Sequence, residues 1–167
     1  MGAIMLRQQR CHSNKTGGAV AFSIDQSPGY QINRLARDLS MYLQRKFSRA
    51  GFEITAPQWA VLNRLWEEEG LHQSELADRV VRDRHNMARI IAAMEKRGLI
   101  RREPDARDKR LLRVFLTRQG RELQVKLVPL AKEAVASAFS SVSRQDVEAL
   151  SRLYDRVLAN LAKESEE

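Results

Sequence analysis

The chain has 167 residues, 43% of them hydrophobic and 30% charged, with a formal net charge of +8. That length suits one domain with a real core, and no apolar run is long enough to cross a membrane. A single cysteine, Cys11, excludes an internal disulfide and a thiolate cluster for zinc, and His12, His72 and His85 lack metal-ligand spacing.

Residues 1–27 are polar, without a sustained period, and are expected to form a flexible tail. The opening MGAIMLRQQRCHSN is basic but lacks the apolar stretch of a secretory signal, so a cytoplasmic chain is expected. From Pro28 the spacing of Ile32, Leu35, Leu39, Tyr42, Leu43 and Phe47 predicts a helix to about Ala50, stopped by Gly51. Thr55-Ala-Pro-Gln58 reads as a capping box with proline in the first turn, opening a second helix that carries Trp59, Leu62, Leu65 and Trp66.

A short third helix with Leu76, Ala77 and Val80 follows, then a turn. Asp83 is a plausible N-cap for a fourth helix that runs to about Arg97 and is ended by Gly98. Leu99 to Glu103 and Arg110 to Leu116 read as two strands around a turn at residues 104–109. Thr117 caps a long fifth helix to about Phe139, with Pro129 expected to bend it. Ser143 caps a sixth that carries Val147, Leu150, Leu153, Tyr154, Val157, Leu158 and Leu161. The fold expected is mainly α with a small β-hairpin: helix, short helix, turn, helix and hairpin in the order of a winged helix-turn-helix, plus a helical region for dimerisation.

The positive charge is concentrated. Residues 82–113 carry eleven basic and five acidic side chains, whereas 28–81 and 114–167 are each balanced. A solvated surface would spread its charge; a concentrated block is the electrostatic footprint of a polyanion's partner. No glycine-rich phosphate loop, GxSxG elbow or HExxH pair occurs, so an enzyme is not expected.

In the fourth helix, Met87, Ile90, Ile91 and Met94 fall on one stripe, and His85, Arg89, Ala92 and Lys96 lie opposite. An ordinary solvated surface helix would look similar, but the charge block and the adjoining hairpin favour a reader of DNA. Arginine can fork onto guanine and asparagine can pair with adenine, so Arg89 and Asn86 suit major-groove edges. Arg82, Arg84 and Lys96 suit phosphates. In the hairpin, Leu112, Val114 and Leu116 alternate with Leu111, Arg113 and Phe115, and Arg107, Lys109 and Arg110 sit at the tip. Apart from Lys109, the basic residues from 101 to 113 are arginine. That favours a minor-groove finger over edge protection, for which lysine is the usual device.

The run Leu76 to Gly120, with Glu75-Leu76-Ala77, Glu95-Lys96-Arg97-Gly98-Leu99-Ile100, Asp105-Ala106-Arg107-Asp108-Lys109-Arg110 and Leu116-Thr117-Arg118-Gln119-Gly120, resembles the multiple-antibiotic-resistance regulator (MarR) family of bacterial transcription factors. The resemblance implies a homodimer of winged-helix lobes joined through helices 1, 5 and 6. It implies binding to a pseudo-palindromic double-stranded DNA operator, commonly as a repressor. It implies that Asp108 and Arg110 orient the wing and contact DNA, and that a small, often aromatic or anionic, ligand binds between the dimer helices and the lobe. Many relatives carry Thr or Ser where this chain has His85 and Asn86.

Residues 28–54 and 118–162 are accordingly expected to form the dimerisation region, 55–117 the DNA-binding lobe, and 163–167 a short tail. Tyr42, Trp59, Trp66 and His72 are candidates for lining a ligand cavity, with core packing the alternative. Cys11 is a candidate redox thiol, with an incidental cysteine the default. No cofactor is expected. The competing function is a sequence-indifferent architectural DNA-binding protein that uses the same basic patch without base readout.

Overall fold

A computed structural model describes residues 23–80 and 84–164. The predicted cap at Asp83, and the candidate residues Cys11 and Arg82, lie outside these. Within residues 23–35, a 3-10 turn at Ile24–Gln26 precedes the first turns of α1, Pro28–Arg49. The Gln31 amide donates to the Asp25 carbonyl at 2.9 Å.

From Ala36 onward the chain completes α1, then forms α2 (Ala56–Glu67), β1 (Leu71–His72), α3 (Gln73–Val80), α4 (Arg84–Lys96), β2 (Ile100–Pro104), β3 (Leu112–Leu116), α5 (Arg118–Ala138) and α6 (Arg144–Glu164). The capping box at Thr55 forms as the sequence predicts. The Gln58 main-chain N–H donates to the Thr55 hydroxyl, and the Thr55 N–H donates to the Gln58 side chain. Thr117 accepts from the Gly120 N–H at 3.1 Å, and Ser143 accepts from the Asp146 N–H at 3.1 Å. α5 runs through Pro129.

α4 ends in a six-to-one turn: the Leu99 N–H donates to the Met94 carbonyl at 3.0 Å, and Gly98 takes a φ of 66°. Glycine adopts that left-handed conformation without steric cost.

The sheet has three strands in the order β1-β3-β2, all antiparallel. The third strand, β1, is two residues long, which leaves no alternation for the sequence to display. It pairs Leu71 with Val114 and His72 with Arg113. The predicted hairpin strands shift slightly, and its turn lies beyond Pro104, where the Asp105 N–H donates to the Leu111 carbonyl at 2.9 Å.

One apolar core joins these elements. Met87, Ile91 and Met94 of α4 are fully buried against Leu62 and Leu65 of α2, Leu76 of α3, and Val114 and Leu116 of β3. Side chains of this size each contribute roughly 1.5–3 kcal/mol when fully buried. The C-terminal part of α1 joins them through Phe47, whose ring lies 5.1 Å from that of Trp59. By contrast, among the described residues none of the α6 side chains is buried, and Leu150, Leu153, Tyr154, Val157, Leu158 and Leu161 are exposed.

The start of α5 is set against the end of α4. A Cβ at Gly120 would fall on the Leu99 carbonyl oxygen, and the Leu116 side chain lies 3.1 Å away. The Thr117 N–H also donates to that carbonyl, at 3.1 Å. Backbone cannot move aside as a side-chain tip can. Gly120→Ala is therefore expected to cost roughly 3 kcal/mol, the upper end of ordinary overpacking penalties. Urea unfolding checks this, and a midpoint equal to the wild type would contradict it.

Candidate nucleic-acid interface

α4 is aimed by its buried stripe. With Met87, Ile90, Ile91 and Met94 turned into the core, His85, Arg89, Ala92 and Lys96 are exposed. An ion pair and a pair of arginine hydrogen bonds fix the helix at its C-terminal end. The Glu95 carboxylate accepts from the Arg102 side chain and main-chain N–H of β2, and this pairing holds the Glu95 carboxyl below its usual range. Arg97 donates to the Glu53 carbonyl and to the Gln58 side chain, which bridges α4 to the start of α2. On the outer face, the Arg89 guanidinium donates to the Asn86 side-chain oxygen at 3.2 Å. The two residues chosen for base edges therefore already form a joint hydrogen-bonding unit.

The wing turn is organised by Asp105, a residue the sequence reading placed in a motif without a role. Its side chain is 7% exposed. One carboxylate oxygen accepts the main-chain N–H groups of Arg107 at 2.7 Å and Asp108 at 3.1 Å. The other accepts from the Arg113 guanidinium on β3. The Arg107 N–H, then the Arg113 guanidinium and the Asp108 N–H, hold the carboxyl well below the ordinary aspartate value near 3.8. Arg113 also donates to the Gly70 carbonyl at 2.8 Å, tying the turn to the corner before β1. The available signal was an aspartate directly after Pro104, with unpaired N–H groups two and three residues on.

Farther out, Arg110 forks onto Asp108, donating to both carboxylate oxygens at 3.0 Å. Its side chain remains 90% exposed, and Asp108 is held below its usual pKa chiefly by this pairing. An exposed pair of this kind contributes little stability but sets the direction of the guanidinium. Arg101 lies over the Phe115 ring at 4.9 Å and pairs with Glu103.

Eight of the basic residues of 82–113 divide by task. Arg97, Arg102 and Arg113 hold the lobe together. Arg89, Lys96, Arg107, Lys109 and Arg110 carry exposed cationic groups on α4 and the wing. Rigidly presented guanidinium and ammonium groups of this kind can neutralise phosphates and fork onto base edges.

The ligand-cavity candidates separate. Tyr42 and Trp59 line a groove of about 670 Å³ with Leu39, Asn63, Lys132 and Phe139. Trp66 does not line it; its indole stands edge-on to Trp59 and donates to the Gly120 carbonyl at 3.0 Å. His72 belongs to the wing instead, with its Nε2 at 3.4 Å from Asp105. Its place on β1, paired with Arg113, puts it there. Among the described residues, no group of His, Cys, Asp or Glu could hold a metal ion, and no helix is long and apolar enough to cross a membrane.

The MarR family profile matches residues 54–112, the span from the end of the α1–α2 loop to the first residue of β3. The transcriptional regulator HosA of Escherichia coli is 30% identical over 106 residues, which cover 64% of this chain and 78% of HosA. A MarR transcriptional regulator from Methanosarcina mazei Go1 superposes with a TM-score of 0.68 at 31% identity, covering 80% of this chain and 96% of that one. The PcaV transcriptional regulator of Streptomyces coelicolor, solved with its natural ligand, superposes with a TM-score of 0.72 at 26% identity, covering 84% and 97%.

Because Asp105 titrates low in the folded chain, its hold on the turn is present above the ordinary value near 3.8 and is lost only as pH falls through the lower folded value. The Arg107 and Asp108 amides are expected to remain protected from hydrogen exchange across the usual carboxylate range. In Asp105→Asn they should exchange faster at neutral pH, with the amides of α4 unaffected. Equal exchange of the wing amides in both proteins would contradict the anchoring role.

Proposed function

The chain belongs to the MarR family of transcriptional regulators, and from that membership we propose that it reads a pseudo-palindromic operator as a homodimer, with α4 in the major groove and the wing in the adjoining minor groove. The observation that carries this reading is the coincidence of charge and geometry. The one segment with a large cationic excess contains the exposed face of α4 and the projecting wing, held as a unit by Glu95–Arg102 and Asp105–Arg113. Asn86 and Arg89 take the base edges, with His85 beside them. Lys96 and Arg84 grip phosphates, as does Arg82, whereas Arg107, Lys109 and Arg110 enter the minor groove, where negative potential favours arginine.

Dimerisation runs through α1, α5 and α6, making residues 28–54 and 118–162 the dimer region and 55–117 the DNA-binding lobe. The support is the apolar stripe of α6, whose Leu150, Leu153, Tyr154, Val157 and Leu158 stay exposed among the described residues. An exposed patch of this kind marks an interaction surface. Two lobes related by a two-fold axis then meet half-sites about one helical turn apart.

The regulator acts as a repressor, released by a small aromatic anion seated in the groove of Tyr42 and Trp59. The groove is lined mainly by apolar side chains, with one ammonium, Lys132, among them, and PcaV, a relative of the same fold, was solved with its natural ligand.

Arg110→Ala is expected to weaken binding to every DNA sequence and to reduce the slope of log affinity against log salt by about 1. Arg89→Ala should instead narrow the gap between operator and random DNA, by about 1–3 kcal/mol. Binding isotherms at several salt concentrations separate the two. Unchanged affinity and salt slope in Arg110→Ala would remove the wing from the interface. Equal wild-type affinity for operator and random DNA would favour a sequence-indifferent architectural role.

A further inference from the structure

The imidazole of His72 faces the one buried carboxylate on which the wing turn hangs. His72 lies on β1, opposite Arg113 in the register with β3. Its Nε2 is 3.4 Å from the Asp105 oxygen that also receives Arg113, and its Nδ1 is buried with no hydrogen-bond partner among the described residues. The charged groups around it are Asp105 from the wing turn, Arg113 from β3, and Glu75 from α3, whose carboxylate accepts the His72 main-chain N–H at 2.6 Å.

A neutral imidazole with its proton on Nε2 suits this setting: the N–H points at Asp105, and the bare Nδ1 needs no acceptor. A second proton would make the contact with Asp105 charge-assisted and stronger. It would also place an N–H at Nδ1 that meets no acceptor, beside the permanent charge of Arg113. The balance between these two states is therefore open to an outside field, and a phosphate backbone against the wing supplies a negative one.

We propose that His72 is a proton-linked latch for the wing: DNA binding draws a proton onto its imidazole, and the imidazolium joins Arg113 in clamping Asp105. The latch rests on the wing's grip on DNA described under the proposed function. Its sign follows from linkage. A group that holds its proton more tightly in the complex adds affinity that is present in full at low pH and is lost as pH rises through the titration of the bound form. Histidine places that window near neutrality.

The test uses the full chain and random-sequence duplex DNA at constant ionic strength, with affinity measured from about pH 8 to about pH 5.5, the range over which histidine titrates. Wild type, His72→Gln and His85→Gln are compared, the last because His85 is the exposed histidine of α4 and its own contribution has to be separated. Wild type is expected to tighten on acidification, by up to about tenfold per protomer for each unit by which binding raises the histidine pKa, and His85→Gln, whatever its affinity at about pH 8, should keep a tightening that His72→Gln lacks. His72→Gln should lose most of that gain. A His72→Gln profile parallel to wild type, or a wild-type affinity indifferent to pH, overturns the latch.

A second readout needs no DNA. Ring nitrogen shifts of His72 in the free protein should report the proton on Nε2, facing Asp105, and should change in Asp105→Asn; identical shifts in the two proteins overturn the latch. Failure of the wing reading registers separately, as an Arg110→Ala protein that binds like wild type while His72 still responds to Asp105→Asn.

Discussion

Met87, Ile90, Ile91 and Met94 leave α4 only one way to lie. Their burial against α2, α3 and β3 turns the opposite face of the helix to solvent, and every other feature of the candidate interface is measured from that face. The chain leaves α4 through the left-handed Gly98, enters β2 within two residues, and comes back along β3 to reach α5 at Thr117. The Leu99 carbonyl is the meeting point, receiving the Thr117 N–H and closely covered by Gly120. Helix, wing and the first turn of α5 are thereby fixed by a few adjoining peptides, so the wing inherits the orientation of α4 rather than choosing its own.

Electrostatics divides along the same line. The arginines that tie the elements together have fixed acceptors: Arg102 has Glu95, Arg97 has the Glu53 carbonyl, and Arg113 has Asp105 and the Gly70 carbonyl. Exposed ion pairs contribute little to stability, and here their value lies in direction. Asp105 differs because it is buried and accepts three donors, so that the turn's own N–H groups depend on it. Set at the root of the hairpin, it ties the turn to β3 through Arg113, while Arg107, Lys109 and Arg110 stay exposed at the tip.

Much of this was legible in the sequence because it rests on local rules. The Thr55 capping box, the Thr117 and Ser143 caps, and the three-and-four spacing on α4 each declare themselves within a few residues. β1 did not, since two residues cannot show a period and its pairing with β3 spans more than forty positions. The same long-range pairing moved His72 from a presumed ligand cavity to the wing. Trp59 and Trp66 looked equivalent on paper; only tertiary packing separates a groove wall from an indole that hydrogen-bonds to the Gly120 carbonyl. Asp105 was visible as a turn aspartate, but its role required knowing that Arg113 would return beside it.

The most direct test of the central claim, that α4 and the wing together read a two-fold symmetric site, is recovery of bound fragments from the sheared genome of the protein's own source, at two salt concentrations. Enrichment of an inverted repeat with half-sites about one helical turn apart, sharpening as salt rises, is the predicted result. Uniform recovery of the genome at both salts would contradict it and reduce the basic segment to a grip on phosphates.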